Sequence, residues 1–298
     1  MTGARTEFAD PAGLRAALEE SGYLADNGIA TAAFLADALR RPLLLEGEAG
    51  VGKTALATAL AQVRGVELVR LQCYEGIDAA QALYDWDFPR QVLHLRAAEV
   101  GAAVTSEFDL ERVENELYSE RFLVARPILT ALRTPGSVLL IDEIDRADDE
   151  FEAFLLEALS DFAVTIPELG RIRAEVPPLV ILTSNRTREV HDALKRRCLY
   201  HWVEHPSLER EVAILRSRLP AITAQLAGQV ATAVGRLRAA DLLKPPGVAE
   251  SIDWAMALQA LGCRQLDPQS AAMTLGAVLK YREDTDRVVA GGLSSLVA

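Results

Sequence analysis

The chain has 298 residues, half of them hydrophobic and a quarter charged, with 43 acidic against 31 basic side chains and a formal net charge of −12. That length suits one large α/β domain with a small companion, because single cores stop growing at roughly 250–300 residues, and the composition leaves no long segment too polar to fold. The negative charge repels polyphosphate chains, so neither DNA nor RNA is expected as a partner, although a local basic cluster still suffices for a single nucleotide.

In chain order, residues 11–39 carry apolar positions at helical spacing, and Ser21-Gly22 and Asn27-Gly28 divide them into two helices. Residues 42–46 (PLLLE) are a short apolar run ending at Gly47, the pattern of a buried parallel strand. An Ala- and Leu-rich helix over 54–63 and a strand over 66–71 complete a βαβ unit. Residues 74–108, with Tyr84, Trp86, Phe88 and Pro89, form an insertion. The period over 110–132 predicts helix, kinked or restarted at Pro127. Residues 138–141 are a buried strand, 148–159 an amphipathic helix, 162–166 with 171–176 a hairpin, and 179–183 a further strand. Beyond Pro206 the pattern is helical, with breaks at Pro220, Pro245-Pro246-Gly247 and Pro268. The expected division is therefore 1–206, a parallel sheet flanked by helices, and 207–298, a smaller helical lid whose core includes Trp202 and Trp254.

The cysteines Cys73, Cys198 and Cys263 are widely spaced with no CxxC pair, which points to a reducing, cytoplasmic compartment without disulfides or zinc. The first ten residues lack a basic stretch followed by an apolar one, and no run of ~18 apolar residues occurs, so neither secretion nor a membrane span is expected.

Gly47-Glu48-Ala49-Gly50-Val51-Gly52-Lys53-Thr54 fits GxxxxGK[ST] between a predicted strand and a predicted helix. Glycines let the backbone wrap phosphate closely, and the loop amides with the helix N-terminus form an anion nest. Lys53 would reach the β and γ phosphates of ATP, and the Thr54 hydroxyl would ligate Mg²⁺. The strand ending in Asp142-Glu143 delivers Asp142 to the metal and places Glu143 as general base for water. A third strand ends in Thr183-Ser184-Asn185, where the Asn185 amide is suited to holding the attacking water. Lys195-Arg196-Arg197 follows, and arginine is the residue that stabilises phosphoryl charge in a neighbour's site.

This order resembles the AAA+ ATPases: Walker A, Walker B, sensor 1 and arginine finger. It is most similar to the MoxR family through residues 42–47 (PLLLEG), Asp142-Glu143-Ile144-Asp145-Arg146-Ala147 and the hairpin within 156–173. Residues 183–206 resemble the branch associated with maturation of carbon monoxide dehydrogenase, a molybdenum hydroxylase. The resemblance implies a homo-oligomeric ring, usually a hexamer, in which Arg196 or Arg197 reaches the adjacent subunit's ATP. It also implies a von Willebrand factor A domain partner and chaperone-like remodelling, or metal loading, of a client enzyme. The insertion and the hairpin fall where this class places pore-facing elements. One departure stands out: the stretch 245–254, where the family carries a sensor 2 arginine, has none and holds Glu250, leaving Arg264 as a substitute from elsewhere. Two other functions fit the motifs: a nucleotide-gated assembly scaffold with slow hydrolysis, and a P-loop kinase acting on a small molecule, which the Glu143 and Arg196-Arg197 pattern disfavours.

Overall fold

The computed structural model describes residues 8–105 and 116–298. Helix α1 (Pro11–Glu20) starts on the Asp10 carboxylate, which accepts the Gly13 N–H, and on a proline at its first position. Gly22, with φ of 86°, turns the chain before α2 (Asn27–Leu39). Strand β1 (Leu43–Glu46) is buried throughout, as its unbroken apolar run predicts, and α3 (Lys53–Arg64) and β2 (Leu68–Gln72) follow. The insertion resolves into α4 (Ala79–Leu83), β3 (Tyr84–Trp86) and α5 (Phe88–Thr105). Tyr84 and Trp86 are partly buried against the core, whereas Phe88 is 59% exposed.

The helix predicted over 110–132 is corrected where the structure describes it; its first residues lie outside the described part. Leu123–Ala125 is a strand, β4, paired antiparallel with β3 from Trp86↔Leu123 to Tyr84↔Ala125. Pro127 is the physical reason: it drives Arg126 into extended backbone (φ −92°, ψ 175°), so a helix cannot pass, and α6 (Pro127–Arg133) begins on the proline itself. Next come β5 (Val138–Asp142), α7 (Asp149–Asp161), the hairpin β6 (Ala163–Ile166) and β7 (Gly170–Arg173), β8 (Leu179–Ser184), α8 (Asp192–Arg197) and β9 (Leu199–Trp202). The hairpin's second strand ends earlier than expected, because Val176 turns its carbonyl to the Gly136 N–H. The five-stranded sheet has the order β2-β5-β8-β1-β9. Strands β2, β5 and β8 run parallel, in a register that sets Gln72 opposite Asp142 and Ile141 opposite Leu182. The fold is thus an α/β P-loop architecture with a parallel sheet between helices and a helical C-terminal part.

After Pro206 the chain is α-helical: α9 (Leu208–Arg218), α10 (Ala224–Ala239), α11 (Val248–Ala260), α12 (Pro268–Val278), α13 (Arg282–Ala290) and α14 (Leu293–Val297). Ser207, Thr223 and Asp267 cap three of these helices with side-chain oxygens.

Internal contacts divide the chain into two compact units. The first comprises Leu35–Leu44 and Arg64–Tyr200, with a core that includes Leu44, Val69, Ile128, Leu139, Ile141, Phe151 and Leu182. The second comprises Phe8–Phe34, Leu45–Val63 and His201–Ala298, and its helical core is built on Leu215, Val230, Val234, Trp254, Leu258 and Leu275. Trp254 is fully buried and donates its ring N–H to Thr274 at 2.7 Å. Trp202, by contrast, lies on β9 and is 37% exposed, so it is not a lid-core residue. In this second unit Arg238 makes two bonds to Glu211, at 2.6 and 2.8 Å, and the Ser251 hydroxyl donates to the same carboxylate, tying α9, α10 and α11 together. Among the described residues no helix is long and apolar enough to cross a membrane.

Candidate active site

The glycine loop belongs to the second unit. Strand β1 leads directly into it, and the Val203 N–H donates to Glu46 O at 2.7 Å, drawing the Val203 backbone so close that a Cβ at Gly47 would stand 2.4 Å from its carbonyl oxygen. Only glycine fits there. Gly50 and Gly52 take φ of 78° and 98°, the left-handed backbone that lets successive amides of an anion nest face inward. Lys53 is 6% exposed, and its ammonium donates to the Gly47 and Glu48 carbonyls, both at 2.7 Å. The loop therefore holds its cation folded back along itself, where it orders Gly47 to Lys53. Glu48 pairs with His205 at 3.0 Å, and Thr54 is half-buried on the first turn of α3.

The carboxylates lie in the first unit, at the ends of three adjacent parallel strands. Asp142 is 3% exposed: its Oδ1 accepts the Thr183 hydroxyl at 2.6 Å and its Oδ2 accepts Arg70 at 2.5 Å. Glu143 adopts left-handed backbone, φ 56°, which costs a non-glycine residue roughly 1–2 kcal/mol. Its N–H is held at 2.9 Å by the same Thr183 oxygen, so one hydroxyl orients both acids. Glu143 Oε1 accepts the Asn185 amide at 3.3 Å, while Oε2 accepts Gln72 at 3.2 Å and Arg146 at 2.8 Å. Asn185 is itself fixed from below, since the buried Asp145 carboxylate accepts the Asn185 N–H at 3.2 Å and the Thr187 N–H at 2.9 Å. Cys73 donates its N–H to Asp142 O at 2.9 Å. Burial, then the surrounding Asp142, Asp145, Glu143 and Glu152 charges, push its thiol up to about 12, so it stays protonated and a poor nucleophile at neutral pH.

Asp142, Glu143 and Asn185 thus come together, and four further residues join them: Arg70 and Gln72, which motif reading did not single out, and Asp145 and Arg146, which entered only as part of the 142–147 stretch that carries the resemblance and were given no role. Arg70 and Gln72 alternate on β2, a period that puts both on one face of the strand, but only the pairing of β2 with β5 brings that face to the carboxylates. Taken separately, the Asp142 carboxylate of the first unit and the Thr54 hydroxyl of the second are each oxygen donors, the kind that a hard divalent cation accepts.

Arg196 and Arg197 end the six-residue helix α8 in the first unit. Both are exposed, and neither guanidinium has an ion pair or side-chain hydrogen bond among the described residues. Arg41 fixes the end of this helix: its guanidinium donates to the carbonyls of Arg196 at 2.9 Å, Arg197 at 3.1 Å and Cys198 at 3.2 Å. The last-turn carbonyls of a helix carry partial negative charge, and a cation there both satisfies and neutralises them.

The profile of the family described as AAA domain (dynein-related subfamily) matches residues 42–198, which span β1, the glycine loop, both carboxylates, Asn185 and the arginine pair. The chain belongs to that family. It is accordingly an AAA+ ATPase of the P-loop class. Midasin of Giardia intestinalis is 46% identical to it over 127 residues, a stretch covering 37% of this chain and only 3% of that protein. The Thermotoga maritima RuvB Holliday junction branch migration motor is similar with a TM-score of 0.45 at 16% identity, over 87% of this chain and 67% of that one. A mutant of the same RuvB gives 0.49 at 16% identity, over 91% and 73%.

Proposed function

We propose that this AAA+ ATPase is a Mg²⁺-dependent motor of the MoxR type that assembles into a homo-oligomeric ring, a hexamer, in the cytoplasm. In this reading residues 1–206 bind nucleotide and 207–298 act as a lid. Gly47, Glu48, Ala49, Gly50, Val51, Gly52 and Lys53 hold the phosphates of ATP, with the Lys53 ammonium exchanging its two loop carbonyls for phosphate oxygens. Thr54 and Asp142 hold Mg²⁺, which would neutralise phosphate charge when bound. Glu143 takes the proton of the attacking water, and Asn185 orients Glu143 and that water. Arg196 or Arg197 completes the site of the adjacent subunit.

One observation carries the ring reading: two adjacent guanidiniums stand exposed, with no ion pair among the described residues, at the end of a helix that a third arginine, Arg41, anchors at three carbonyls. Exposed arginine on an acidic protein, carried on an anchored helix end, suits recognition of phosphate on another molecule. The work of the ring, on this proposal, is chaperone-like remodelling or metal-cofactor loading of a metalloenzyme client, a molybdenum hydroxylase being the candidate, together with a von Willebrand factor A domain partner. The test is affinity capture with Glu143→Gln, which should hold ATP, ring and client together. Recovery of the ATP-loaded chain with no metalloenzyme or von Willebrand partner from its native cells would remove the client from the proposal.

A specific observation favours a second reading, that of a nucleotide-gated scaffold with slow hydrolysis: Glu143 Oε2 is engaged by both Arg146 and Gln72. A motor accelerates when its client is added; a scaffold keeps its basal rate.

A further inference from the structure

Helix α11 follows Pro245-Pro246-Gly247, and a glycine at the helix N-cap brings no side-chain oxygen to accept the first amides. The glycine loop supplies the acceptor. The Gly50 carbonyl receives the Val248 N–H at 2.9 Å and the Ala249 N–H at 3.3 Å, and the Gly247 N–H is received by Glu250 Oε2 at 3.0 Å. Contact is tight enough to require glycine on both sides: a Cβ at Gly247 would lie 2.6 Å from Ala49 O and 2.7 Å from the Gly50 Cα. A Cβ at Gly50 would lie 2.8 Å from Glu250 Oε2. All of these residues belong to the second unit. The start of α11 is therefore latched onto the glycine loop, and the first-turn carboxylate that complements its helix dipole stands directly against that loop.

The sign of that charge matters. Within the loop the only cation is Lys53, and the other acid, Glu48, is engaged by His205. A fixed carboxylate beside an anion nest repels an anionic ligand by Coulomb's law, and more strongly as the ligand's charge grows.

We propose that Glu250 is an affinity-limiting residue of the nucleotide site: its carboxylate opposes bound polyphosphate, weakens nucleoside triphosphate more than diphosphate, and ties occupancy of the loop to the α11 latch. This rests on the reading of the glycine loop as the phosphate site. The full-length chain with Glu250→Gln keeps an oxygen acceptor for the Gly247 N–H and removes only the charge. Equilibrium binding of ATP and ADP to nucleotide-free protein, each with Mg²⁺, should show ATP held about tenfold tighter by the variant, a smaller gain for ADP, and both gains shrinking at 1 M salt. Glu250→Ala removes charge and hydrogen bond together; it should also tighten ATP, and its peptide covering Val248 and Ala249 should exchange amide hydrogens faster than wild type. Affinities within twofold of wild type, or weaker, for both variants while Lys53→Ala still loses binding would overturn the assignment of Glu250 and leave the phosphate site standing. If Lys53→Ala also binds as wild type does, the phosphate site and the proposal fall together.

Discussion

Arg70 donates to Asp142 Oδ2 at 2.5 Å, so the carboxylate proposed for Mg²⁺ already has a cationic partner on the neighbouring strand. A guanidinium and a divalent cation compete for the same oxygen. Arg70→Ala is therefore expected to lower the Mg²⁺ concentration for half-maximal ATPase several-fold. Because Arg70 is 53% exposed and Asp142 keeps the Thr183 hydroxyl, stability should change by only about 1 kcal/mol. A magnesium titration in the two proteins checks this, and an unchanged or higher requirement contradicts it.

Thr183 serves two acids with one hydroxyl, donating to Asp142 and accepting from the Glu143 N–H. Thr183→Val keeps the shape and removes this hydroxyl from both partners at a 1% exposed position, leaving the Glu143 N–H without its acceptor. We expect a loss of about 1–3 kcal/mol in chemical denaturation. We also expect kcat to fall at least about tenfold, since the left-handed Glu143 backbone loses its anchor. Wild-type kcat in a folded variant would show that Glu143 is held by other means.

Much of this site is legible in the chain itself. Leu43–Glu46, Val138–Asp142 and Leu179–Ser184 are buried at every position, and strands covered on both faces read as unbroken apolar runs. The same runs end where the site residues stand, which is why Asp142, Glu143 and Asn185 could be picked out. Arg70 and Gln72 could not, because their meeting with Asp142 and Glu143 depends on β2 lying beside β5, and strand order is set by tertiary packing. Likewise Glu250 meets Gly50 across 200 residues of sequence separation. At β4 a helical period misled: Pro127 imposes extended backbone on Arg126, and β3 supplies the ladder partner.

Burial raises the thiols of both Cys73 and Cys198 to about 12, whereas Cys263 is partly exposed. Iodoacetamide at pH 8 should add one equivalent to the native chain and three after denaturation, read by intact mass. The linkage has a definite sign: an unfolded thiol ionises near ~8.5, so the unfolded state binds fewer protons as pH rises above that value. The stability associated with these two thiols is thus fully present below about pH 8.5 and declines toward pH 12. Rapid native labelling of Cys73 would contradict the buried environment beside Asp142.

Subunits carrying Arg196→Ala with Arg197→Ala and subunits carrying Glu143→Gln should each be nearly inactive alone. Mixed, they should recover part of the ATPase rate, because some interfaces then pair an intact arginine donor with an intact Glu143. Absence of recovery in mixed rings of confirmed composition would place the arginines in service of their own subunit.

Most direct is the ATPase rate as a function of protein concentration, with light scattering after size exclusion run in parallel, with and without ATP and Mg²⁺. A site completed by Arg196 or Arg197 of a neighbour requires activity per chain to rise steeply over the concentrations at which a ring forms. Constant activity per chain from a species that remains monomeric would contradict the shared site and leave a self-contained P-loop ATPase.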